Sequence, residues 1–114
     1  MYINGWTREK LMKQIRLKNK GYRSYDNGEC RYRDDDNNQC LVGCFIPDVK
    51  YSTDMESRSA TCIIREFDLY KEMPLSIERM DSLQFFHDAV VEDLDGESFY
   101  EAVEEKLIDM ESKK

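Results

Sequence analysis

Residues 30–48 constrain the fold more than any other stretch: Cys-Arg-Tyr-Arg, then Asp-Asp-Asp-Asn-Asn, then Gln-Cys-Leu-Val-Gly-Cys-Phe-Ile-Pro-Asp. Five polar residues at 34–38 separate two arms, at 29–33 and 39–46. Asp and Asn bond their own backbone and tolerate left-handed conformations, so they close loops well. The pattern predicts a β-hairpin. If the arms meet symmetrically, Tyr32 lies opposite Cys40 and Cys30 opposite Val42. Alternation then puts Cys30, Tyr32, Cys40, Val42 and Cys44 on one face, and Arg31, Arg33, Leu41, Gly43 and Phe45 on the other. A one-residue slip would exchange the faces. Gly43 in a strand interior predicts a bulge or the close approach of another backbone. Pro47 cannot donate to a ladder and ends the strand near Ile46.

Three thiols on one face admit three readings. They pack as small inert hydrophobes, they form a disulfide, or they bind zinc. A disulfide calls for an oxidising compartment, of which the sequence carries no sign. Zinc asks for four ligands, usually in closely spaced pairs. The chain has one histidine, His87, so Cys30, Cys40, Cys44 and His87 are the candidate set.

A chain of 114 residues reads as a single domain, residues 1–114, with one modest core. No apolar run reaches membrane length, and the opening Met-Tyr-Ile-Asn-Gly-Trp lacks the apolar centre of a signal peptide. The expectation is a chain of the cytoplasm with reduced cysteines. Net charge is −7, unevenly placed. Residues 1–50 hold ten Lys/Arg and seven Asp/Glu (+3), and residues 51–114 hold seven and seventeen (−10). That balance disfavours nucleic acid as a partner, because a phosphate backbone would be repelled by most of the molecule.

Helical periodicity supplies the rest. Residues 7–20 read as a basic helix capped by Thr7, with Leu11, Met12 and Ile15 inward. Its cations point to an acidic helix of the same chain. Asn27-Gly28 is a turn signal. A second helix is expected over residues 57–70, with Ala60, Ile63, Ile64 and Phe67 as its apolar set and Cys62 off the stripe. Ser76 caps a third, running to about Val91, with Ile77, Met80, Leu83, Phe86, His87 and Val90 along one face. Asp88 follows His87 directly, a spacing that places the two on different helix faces and predicts no His–Asp pair. Ser98 and Glu101 form a capping box for the last helix, striped by Phe99, Val103, Leu107 and Met110.

No phosphate-binding glycine loop, dinucleotide fingerprint, zinc-protease motif or serine-nucleophile elbow occurs. The residues at 34–38 lack the alternating ligands and terminal Glu of a calcium loop. A cysteine packed among apolar strand residues is an inert thiol. No enzyme is expected.

The pattern C-x-Y-R, polar turn, C-x-x-G-x-x-I-P-D, Y-x-x-x-M-E and L-Q-x-x-H-D resembles a family of small uncharacterised proteins encoded mainly by tailed bacteriophages. Here it falls on Cys30, Tyr32 and Arg33; Cys40, Gly43, Ile46, Pro47 and Asp48; Tyr51, Met55 and Glu56; and Leu83, Gln84, His87 and Asp88. It covers about half the chain. Family members carry Gly in the turn and after Met-Glu, where this chain has Asn37-Asn38 and Ser57. The resemblance implies an origin, not a mechanism. It also implies that the hairpin and the third helix pack together, and it leaves Cys30, Cys40 and His87 as the metal candidates.

The resulting expectation is an α+β fold, a β-hairpin packed with about four α-helices. The expected function is a non-enzymatic phage accessory protein of the host cytoplasm that binds and inhibits or redirects a host protein, such as a defence factor, with no cofactor. The alternative is a small-molecule or zinc-binding module, a ligand sponge using the Cys/His cluster. Arg31 and Arg33 are the candidate partner- or anion-binding residues.

Overall fold

A computed structural model describes residues 1–26, 29–89 and 93–113, with side chains described for all of these except 25, 26, 29, 30 and 89. Four α-helices occur among the described residues: α1 (Arg8–Lys18), α2 (Ala60–Glu66), α3 (Ile77–Ala89) and α4 (Gly96–Ser112). None is long and apolar enough to cross a membrane.

Among the described residues the fold is helical apart from one short strand pair, and the hairpin expected of an α+β fold does not form. Residues 29–33 and 39–46 meet only beside their loop, through an isolated bridge between Arg33 and Gln39 and a bond from the Cys40 N–H to the Tyr32 carbonyl at 3.1 Å. Beyond Cys40 the second arm turns, and Gly43–Phe45 is a 3-10 helix. The physical reason lies in the run itself. Residues 38–46 are buried at every position, not at every second one. A continuous apolar run carries no period, so it does not distinguish a strand from a buried turn. The first arm pairs backwards instead. β2 (Glu29–Cys30) lies antiparallel to β1 (Tyr25–Asp26), two residues a side, and the Arg31 N–H continues the ladder to the Ser24 carbonyl at 3.1 Å. A partner two residues away closes a shorter loop than one across residues 34–38. Asn27 and Gly28 lie outside the described residues.

The helices form for the reasons expected, with shifted ends. Thr7 caps α1 through a bond from the Lys10 N–H, and Leu11, Met12 and Ile15 are buried. α2 is half the expected length. Ser59 caps it, accepting from the Cys62 N–H, and Asp68 just beyond it takes a left-handed φ of 54°. Ser76 accepts from Arg79 at the start of α3. Val90 and Val91 lie outside the described residues. α4 begins at Gly96, not at a Ser98 capping box, because a tertiary contact sets its start: the Gly96 N–H donates to the Gly21 carbonyl at 2.7 Å. Gly21 has φ +91°, and a Cβ there would lie 3.2 Å from the Gly96 backbone, so both conformation and space ask for glycine.

α1 packs on α4 and on the 3-10 turn, and α2 packs on α3. Phe99, Val103, Leu107 and Met110 of α4 line the core as their spacing predicts. The basic face of α1 meets the acidic one of α4: Arg8 pairs with Glu111 and Arg16 with Glu97, each at 2.7 Å. These exposed pairs orient the helices more than they stabilise them.

Candidate functional site

The 3-10 turn is locked onto α3 by a chain of side-chain hydrogen bonds. Gly43 allows the turn to pass against the Tyr32 carbonyl, where a Cβ would collide with the carbonyl oxygen. The close backbone approach expected at Gly43 is therefore present. The Gly43 N–H donates to Sγ of Cys40 at 3.1 Å, and that thiol donates to Oε1 of Gln84 on α3 at 3.1 Å. The other end of the Gln84 amide donates to Oδ1 of Asp88 at 3.1 Å. Nδ1 of His87 lies 2.7 Å from the same oxygen. Nε2 of His87 accepts from the buried Ser24 N–H at 3.0 Å, so the ring is the Nδ1–H tautomer and donates to Asp88.

This corrects the expectation that Asp88 would not reach His87. Adjacent helical positions diverge, but a short carboxylate folds back over its own turn. The His–Asp pair is nevertheless closed chemically. The ring is fully buried, and its far nitrogen faces a backbone N–H, not a nucleophile. The thiols are closed as well. Burial pushes Cys40 up to about 12, against the pull of the Gly43 N–H, and lifts Cys44 well above its ordinary value. Cys40, Cys44 and Cys62 are free thiols.

A second network seals the other flank. Glu56, whose side chain is 9% exposed, accepts from the backbone N–H of Tyr32 at 2.8 Å and of Arg33 at 3.1 Å, and from the Tyr51 hydroxyl at 2.6 Å. Arg31 Nε lies 3.4 Å from the same carboxylate. Arg33 is 13% exposed. It lies over the Tyr51 ring at 4.3 Å, donates to the Ile46 carbonyl at 2.8 Å, and pairs with Asp48 at 2.9 Å. Arg31 and Arg33 thus lie on either side of Tyr51 and Glu56, each with partners inside the molecule.

Among the candidate metal ligands, Cys40 and His87 are both tied into the α3 chain, and the side chain of Cys30 lies outside the described residues. Among the described residues, no group of three or more His, Cys, Asp or Glu is placed to hold a metal.

The outer face of α3 is different. Phe85 is 67% exposed. On one side of it lies a cleft of about 360 Å³, lined by Tyr32 and Arg58 and by Asp81, Gln84 and Asp88 of α3. On the other lies one of about 370 Å³, lined by Asp81, Ser82, Phe85, Phe86 and Lys106. The hydrogen-bond chain holds Gln84 of the first cleft's lining in place. Arg58 in the same lining is paired with Glu66 of α2. Sequence reasoning named the buried stripe of α3 and passed over Phe85. The signal was present: of two consecutive Phe residues on a helix, about 100° apart, one falls off the stripe.

Compared with protein-family models, curated proteins and solved structures, the chain matches none.

Proposed function

We propose that the chain is a non-enzymatic accessory protein of a tailed bacteriophage, acting in the host cytoplasm by binding a host protein and inhibiting or redirecting it. The observation that carries this reading is Phe85. A large aromatic ring 67% exposed between two clefts, on a helix anchored from beneath, is surface arranged for a partner. The groups with catalytic potential support the same reading. His87 has both nitrogens engaged, and the Cys40 thiol is buried and held protonated. The phage origin rests on the motif resemblance. The test is affinity capture with the tagged protein from a lysate of the host bacterium, compared with an unrelated acidic protein of the same size. A stoichiometric host protein is expected. Recovery of nothing above the control would count against the reading.

A further inference from the structure

We propose that the Phe85 face of α3 takes a basic segment of its partner. One Arg or Lys head enters the cleft between Asp81 and Asp88, and an apolar side chain of the same segment lies over Phe85 and Phe86. This deepens the host-protein reading above and rests on it.

Charge decides the chemistry of the first cleft. Its ionic lining is Asp81, Asp88 and Arg58, and the charge of Arg58 is already met by Glu66. The lining thus carries two carboxylates, two helical turns apart on one face of α3, against one guanidinium that already has a partner; Arg23 lies beside Asp88 and donates to its backbone carbonyl at 3.0 Å. Asp88 is 38% exposed, so its charge reaches the cleft even though Oδ1 is bonded from within. The exposed Phe85 ring adds a π-face, which attracts a cation, most strongly the flat guanidinium of Arg. The second cleft is lined by two aromatic rings, Phe85 and Phe86, which suit an apolar side chain. Gln84 of the first cleft does not have to be organised by the ligand. The Gln84 amide is held at both ends, by the Cys40 thiol and by Asp88. A site already rigid loses less entropy on binding. The wider field acts in the same direction, since residues 51–114 carry −10 and draw a cationic segment in.

The test is panning of the intact protein against a random dodecapeptide display library. The strongest selected peptide is then titrated into the wild type, Phe85→Ala and Asp81→Lys. Both substitutions alter exposed side chains at separate positions, so misfolding of one leaves the other informative. The selected pool is expected to be enriched in Arg or Lys beside Leu or an aromatic residue. Binding is expected to weaken about tenfold in each variant, and further as salt rises from about 50 to about 500 mM. Neutral or acidic peptides, or equal binding by all three proteins, would overturn the proposal. So would a concentration-dependent dimer abolished by Phe85→Ala, which would make a second copy of the chain the occupant. Capture from host lysate separates this failure from that of the broader reading. A host protein captured equally by all three proteins defeats the Phe85 site alone. A wild type that binds basic peptides through Phe85 but captures no host protein defeats the host-protein reading and leaves the Phe85 site standing.

Discussion

Oδ1 of Asp88 lies 2.7 Å from Nδ1 of His87, its neighbour in α3, and the opposite nitrogen of the ring accepts from the backbone of Ser24. The imidazole therefore ties the segment before β1 to the helix that carries the candidate surface. His87→Ala leaves the buried Ser24 N–H without its acceptor and opens a cavity. A loss of about 2–4 kcal/mol is expected in urea denaturation. A loss within experimental error would show that the ring does not carry this tie.

Glu56 is the corresponding tie on the other flank. Its two oxygens take three donors, so Glu56→Gln sets an amide NH2 against a backbone N–H or the Tyr51 hydroxyl in either flip. It also removes the carboxylate charge 3.4 Å from Arg31. Destabilisation of about 2–4 kcal/mol is expected, read as a lowered urea midpoint at unchanged slope. An unchanged midpoint would remove Glu56 from the framework.

Thiol reactivity distinguishes buried from accessible cysteines. With Cys30 replaced by Ser, three thiols remain. Only Cys62, partly exposed on α2, is expected to react promptly with an aromatic disulfide at neutral pH. Cys40 and Cys44 are expected to react at the rate of unfolding. A fast-reacting Cys40 would reopen nucleophilic chemistry at this position.

Stability is expected to fall at alkaline pH. Burial raises Cys40 from 9.0 to about 12, so the unfolded chain gives up that proton first. Between those values the unfolded state binds fewer protons than the native one, and stability declines as pH rises. It is fully present below pH 9 and is lost through about 12. Tyr51, raised from 10.0 to about 12 by burial and by its bond to Glu56, adds to the slope from pH 10 upward. Thermal melts across this range check the sign, and Cys40→Ser is expected to flatten the decline. A chain most stable near pH 11 would contradict the burial of these groups.

What the sequence made legible was periodic or local. The stripes of α1 and α4 repeat at helical spacing, and all their named members are buried. The loop at 34–38 closes as its chemistry dictates: Asp34 Oδ1 accepts from the N–H groups of Asp36 and Asn38 at 2.9 Å, and Asn37 is left-handed at φ 59°. Gly43 marks a close approach because only a missing Cβ permits it. The hairpin was not legible because residues 40–46 carry no polar side chain, so the run has no alternation to distinguish a strand from a buried turn. The start of α4 was hidden for another reason. It depends on Gly21, some 75 positions away, and such a partner leaves no local trace. Of the candidate site, Cys40 and His87 were visible as residue types. Their neutralisation by Gln84, Asp88 and Ser24 was not, since hydrogen-bond closure is a property of the packed state.

The most direct test of the central claim places a photo-crosslinking benzoylphenylalanine at position 85, and at Lys13 on the outer face of α1 as a control. Each protein is irradiated in host lysate. A discrete adduct with one host protein from position 85, and none from position 13, is predicted. No adduct at 85, or the same adducts at both positions, would contradict the account.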